Sequence, residues 1–191
     1  MQNDADDGLT RYVYSIENFE DLLAETEQRF GNREDFEDLF NYALNRWYNF
    51  HSAKAIESVF KENILVKSHT STKDKYIDFW LQGIPFDHKT TVFPKGFPCT
   101  LAQAQENPLL LIDWLYENQS QQQRKHHKNR LFVVLHQTKG EHWRLKAELQ
   151  WLGQLIESYL GSFSKEKLYI PTFANGQKEI LLADVIWAIQ T

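Results

Sequence analysis

The chain has 191 residues, 42% hydrophobic and 14% aromatic, with one cysteine and a formal net charge of -5. That is enough apolar matter for one domain with a real core, and too aromatic for extended disorder. The lone Cys99 excludes an internal disulfide and a thiol-built zinc cluster. No apolar run approaches the roughly 20 residues of a membrane-spanning helix. The acidic, polar opening MQNDADDGLTRY is unlike a secretion signal, so a soluble protein of the cytoplasm is expected.

Charge is unevenly spread. Residues 1–40 carry 12 Asp+Glu against 3 Lys+Arg, which leaves 14 acids and 18 bases for the rest. The body is therefore mildly basic. Local patches drive association with a polyanion, so the net charge does not exclude one.

Residues 1–11 read as a loose tail. Ile16, Phe19, Leu22, Leu23 and Phe30 recur at helical spacing, with Gly31 as a stop. A second helix is expected from near Asn32 through Trp47, its first turns crowded with Glu34, Asp35, Glu37 and Asp38. Acids there suit the positive end of the helix dipole, and a solvated face is the preferred reading. Residues 51–63, HSAKAIESVFKEN, form a third helix with one apolar stripe and Glu57 off its centre. The expectation is thus an acidic helical extension over 1–50 and an α/β core over 51–191, one domain overall.

Ile64–Lys67 reads as a short strand, and His69–Asp74 as a polar turn. Tyr76–Leu81 and Ile84–Lys89 read as strands joined by Gln82-Gly83. Side chains alternate along a strand, so Asp87 and Lys89 share one face and His88 takes the other. Asp78 is flanked by Ile77, Phe79, Trp80 and Leu81. Burying a carboxylate among them is costly without a cation or donors. Otherwise it faces an open side of the sheet or caps a loop. If the strands pair as a hairpin, Asp78 comes beside Asp87. Two carboxylates with a lysine could hold a hard divalent cation and polarise a water.

The segment TTVFPKGFP is a connection that can carry ligand contacts, with Lys95 at its centre. Thr100–Glu106 is a short helical turn, and Pro108 opens a helix through Tyr116. The run RKHHKNR holds Arg124, Lys125, Lys128 and Arg130, the densest basic cluster. It reads equally as a phosphate-backbone contact or as a solvated loop. Leu131–Leu135, LFVVL, suits a central strand buried on both faces. Trp143–Leu160 reads as an amphipathic helix with Leu145, Leu149, Leu152, Ile156 and Leu160 inward. Lys167–Ile170 reads as a strand, and Ile180–Trp187 as a strand or a terminal helix.

The order helix, three strands, helix, strand, helix, strand, with Asp78, eight residues, then Asp87-His88-Lys89, resembles the PD-(D/E)xK nuclease superfamily. The resemblance spans about residues 50–170. It implies the restriction-endonuclease-like fold: a central mixed sheet of four to five strands flanked by helices, here with an extra N-terminal helical segment. It also implies Mg²⁺ (or Mn²⁺) held by Asp78, Asp87, the carbonyl of His88 and Glu57 on the preceding helix. Lys89 would be the catalytic lysine of phosphodiester hydrolysis, with DNA as substrate. Lys95, Arg124, Lys125, Lys128 and Arg130 would touch the nucleic-acid backbone, and the resemblance allows a homodimer. Ile77 stands where the family motif has Pro, and no Gln-x-x-x-Tyr element follows. Two rivals stand beside this expectation. One is an inactive restriction-like module that binds nucleic acid or protein. The other is a plain α/β interaction protein that uses its acidic N-terminus.

Overall fold

The computed structural model describes residues 4–69, 77–118, 128–174 and 180–191. The chain divides into two units, Met1–Ala55 and Ile56–Thr191. The boundary expected after residue 50 falls inside helix α3 (Phe36–Glu62), which runs across the division.

The first unit contains α1 (Asp4–Leu9), a 3-10 turn (Arg11–Ser15), α2 (Phe19–Phe30) and most of α3. Helix α2 buries Leu22, Thr26 and Phe30, a stripe at four-residue spacing, and Gly31 follows it. The two helices expected over Asn32–Trp47 and 51–63 are one helix of 27 residues. No Gly or Pro interrupts this stretch. Its apolar positions drift around the axis, which reads in sequence as two separate stripes. Val13, Leu22 and Ala43 form the small apolar centre, with Trp47 packed on it. Arg46 donates to the Asp7 carbonyl at 2.7 Å and to Thr10 Oγ1 at 2.5 Å. It also donates to the Tyr14 hydroxyl at 2.7 Å.

The second unit is built on a mixed five-stranded sheet in the order β1 (Val66–Ser68), β2 (Phe79–Leu81), β3 (Ile84–Val92), β4 (Arg130–Gln137), β5 (Ala183–Gln190). The first three strands pair antiparallel, and β3–β4 and β4–β5 pair parallel. The hairpin turns on Gln82 (φ 48°) and Gly83 (φ 80°). Positive φ at both central residues is the turn whose twist matches paired strands, and glycine adopts it freely.

Strand β4 is buried along both faces, as LFVVL foreshadows. Leu131, Val133 and Leu135 meet Ile56 and Phe60 of α3 and Leu152, Ile156 and Leu160 of α6 (Leu149–Gly161). Phe132 and Val134 meet Leu111, Ile112 and Leu115 of α5 (Pro108–Asn118). Helix α4 (Leu101–Glu106) starts on a capping box between Thr100 and Gln103. Among the described residues no helix is long and apolar enough to cross a membrane.

Several expectations need correction. The helix expected over Trp143–Leu160 is a 3-10 segment (His142–Ala147) followed by α6. Glu148 lies outside helical dihedrals between them, so Leu145 turns inward while Leu149 stays exposed. Lys167–Ile170 makes only a single bridge, Tyr169 to Ala183. Pro171 lacks the N–H needed to extend a ladder there. The ambiguous segment after Ile180 is a strand, because eight successive residues register with β4. Strand β2 begins after Asp78, and Tyr76 lies outside the described residues.

Candidate functional site

Alternation along β3 divides the motif between the two faces of the sheet. Phe86 packs in the α3–α6 cluster, and the His88 ring lies 5.2 Å from the Phe60 ring. His88 Nε2 is 2.8 Å from the Thr90 hydroxyl. Burial pushes the His88 pKa down to about 3, with the Lys89 charge adding to it, so the ring stays neutral. Asp87 and Lys89 project to the other face, where α5 packs.

Asp87 is buried and bracketed by two cations. Lys89 Nζ donates to its Oδ1 at 2.5 Å. Arg130 Nε lies 3.4 Å from its Oδ2. Arg130 is the residue paired with Asp87 in the parallel β3–β4 register. Its guanidinium sits over the Tyr116 ring of α5, 4.8 Å from the centroid. The Tyr116 hydroxyl is tied to the Lys128 carbonyl at 2.6 Å. Asn129 locks the strand starts together. Its amide donates to the Pro85 carbonyl and accepts from Leu182 N–H, and its own carbonyl accepts from Asp87 N–H.

Asp78 stands where the β2–β3 ladder slips. Phe79 opposes Phe86, yet Asp78 N–H also donates to the Phe86 carbonyl, at 2.9 Å. Two residues thus face one, as in a bulge. The displaced Asp78 turns its carboxylate to the ladder, and Oδ2 accepts His88 N–H at 2.7 Å. A side chain does the work of a strand carbonyl. Burial pushes the Asp78 pKa up to about 6. The His88 N–H pulls it down, the Asp87 and Glu57 charges push it up, and Lys89 pulls it down.

Asp87 and Lys89 are ion-paired on β3, and Asp78, the residue before β2, accepts the N–H of His88 that lies between them in sequence. Glu57 is on α3, whose Ile56 and Phe60 pack on the face opposite Asp87, and it is ion-paired with Lys61. Its charge reaches Asp78, but its carboxylate is committed elsewhere. Among the described residues no group of three His, Cys, Asp or Glu side chains is placed to hold a metal ion. Lys95 is exposed on the loop beyond the C-terminal end of β3, and Lys128 is exposed before β4. Arg124 and Lys125 lie outside the described residues. Arg130, expected on a surface loop, is buried against Asp87, because it is already the first residue of β4. Tyr116 and Asn129 escape a reading of the sequence, since nothing local marks a ring or an amide as support for a site.

Compared with protein-family models, with curated proteins and with solved structures, the chain matches none. What the site can do must come from its own chemistry. Two hard-oxygen carboxylates, Asp87 on β3 and Asp78 just before β2 with its pKa raised by burial, are the donor chemistry a hard divalent cation takes. In the arrangement described, Lys89 and Arg130 neutralise Asp87 instead.

Proposed function

We propose that the chain is a metal-dependent nuclease that hydrolyses phosphodiester bonds of DNA on a restriction-endonuclease-like scaffold. The carrying observation is the join between β2 and β3. Asp78 is half-buried there, hydrogen-bonded to the N–H next to Asp87, with Lys89 on the Asp87 carboxylate. The order α3, β1, β2, β3, α4, α5, β4, α6, β5 supports the same reading. Asp78, Asp87 and the His88 carbonyl are the groups that would hold Mg²⁺ or Mn²⁺. When bound, such an ion lowers the pKa of a water and offsets charge on the phosphoryl group.

The chain's own residues divide the remaining work. The ladder and Asn129 hold the two carboxylates at fixed positions on the sheet. Lys89 is 42% exposed at its side chain, so its ammonium can leave Asp87 for a phosphoryl oxygen. His88 is buried and neutral and supplies no general base. Lys95 and Lys128 are placed to meet solvent, where backbone phosphates are met.

The test is Mg²⁺- or Mn²⁺-dependent cleavage of plasmid and single-stranded DNA by wild type, Lys89→Ala and Asp87→Ala. Either substitution is expected to lower the rate by about a hundredfold or more. Cleavage that survives in both variants would sink the reading. A second reading is favoured by the bracketing of Asp87 by Lys89 and Arg130: a restriction-like module that binds without cleaving. Wild type that neither cleaves nor binds either ion would move the assignment there.

A further inference from the structure

Arg130 is the least expected member of the site. A basic residue at the end of a charged run ordinarily points to solvent. This one is buried, with 10% of its side chain exposed, and so is its partner Asp87, at 12%. A buried ion pair normally makes good hydrogen bonds to offset lost hydration. Here Nε lies 3.4 Å from Asp87 Oδ2 and is a buried nitrogen without a hydrogen-bond partner. The guanidinium is near the carboxylate as a charge without being well bonded to it.

The position is nevertheless built. Tyr116 lies under the guanidinium, and its ring is braced edge-on by Phe132 at 5.7 Å and by Phe173 at 5.0 Å. Both oxygens of Asp87 therefore face resident positive charge: Lys89 at Oδ1 on an exposed, mobile-stemmed ammonium, Arg130 at Oδ2 on a clamped, planar one. A divalent ion approaching Asp87 meets the repulsion of a desolvated guanidinium a few ångströms away.

Resting on the nuclease reading above, we infer that Arg130 is the resident counter-cation of the site. It holds Asp87 in place of a divalent ion and so sets the ion concentration at which the site loads. Lys89 is the exposed partner that can be released to substrate. Arg130 is then a positioning residue that keeps Asp87 oriented when no ion is bound.

The experiment is Mn²⁺ binding to the full chain by calorimetry and by electron paramagnetic resonance. Wild type is compared with Arg130→Gln, Arg130→Met and Arg130→Lys, each with and without Asp87→Asn. Circular dichroism checks the fold. Arg130→Met keeps an apolar stem on Tyr116 and replaces the Gln variant if that one does not fold. The expected result is Mn²⁺ binding at least about tenfold tighter in the neutral variants, lost with Asp87→Asn, and near wild type in Arg130→Lys. Binding by the neutral variants alone, with none in wild type, also upholds the inference. Asp87-dependent binding that is equal or weaker in the neutral variants overturns it and leaves the metal reading standing. No Asp87-dependent binding in any protein overturns both.

Discussion

The two units hold themselves together by different means. In the second, the faces of β4 feed two large apolar clusters, and Leu131, Phe132, Val133, Val134 and Leu135 are all fully buried. In the first, the apolar centre is small, and Arg46 ties α3 to Asp7, Thr10 and Tyr14 by hydrogen bonds. An ion pair to Asp7 and the Tyr14 and Tyr42 rings complete the surroundings of Arg46. Apolar burial is non-directional, whereas a charged network depends on geometry and is screened by salt. A sheet whose stability rests on apolar faces can carry a desolvated polar cluster such as Asp78, Asp87 and Arg130. An acidic segment with few core residues has to make its polar groups structural.

That contrast can be broken most forcefully at Phe132. Its truncation to Ala leaves a cavity between β4 and α5 and is expected to cost about 3–5 kcal/mol. Urea unfolding followed by circular dichroism measures it, and a loss below about 1 kcal/mol would contradict the apolar account of the second unit. Next comes Arg46→Ala, expected to cost about 2–3 kcal/mol because it strips charge-assisted bonds from partly buried acceptors. Arg46→Met keeps the stem but not the charge. If it were as stable as wild type, packing rather than hydrogen bonding would hold the first unit.

A smaller effect is expected at Asp78, and it depends on pH. Its folded pKa of about 6 is above the ordinary carboxyl value. The native state therefore binds the extra proton between about pH 4 and 6, and stability falls as pH rises through that window. With its partial exposure allowed for, the loss is about 1–2 kcal/mol. Asp78→Asn, which can still accept from His88 N–H, is expected to flatten the profile. A slope unchanged in Asp78→Asn, in urea midpoints taken at pH 4.5, 6 and 7.5, would assign the titration elsewhere. The smallest change is Gln82→Asn. With φ at 48°, this position suits Asn better than Gln, and a gain of about 0.5 kcal/mol is expected as a raised Tm.

The elements with strong local signals were legible. LFVVL announced a buried central strand, Gln82-Gly83 a hairpin, and Pro108 a helix start, and each is present. These signals are local because period, turn dihedrals and a missing N–H act within a few residues. The side-chain faces of Asp87, His88 and Lys89 followed from the same period. What the sequence alone left open were matters of pairing. Whether residues after Ile180 formed a strand waited on β4 as a neighbour. The slip that turns Asp78 into an acceptor for His88 appears only once β2 meets β3. Arg130 looked like the end of a basic loop until the parallel register set it opposite Asp87, with Tyr116 beneath it. Register between segments some forty residues apart is decided by which apolar faces can be buried together, and no local pattern of charge carries that information.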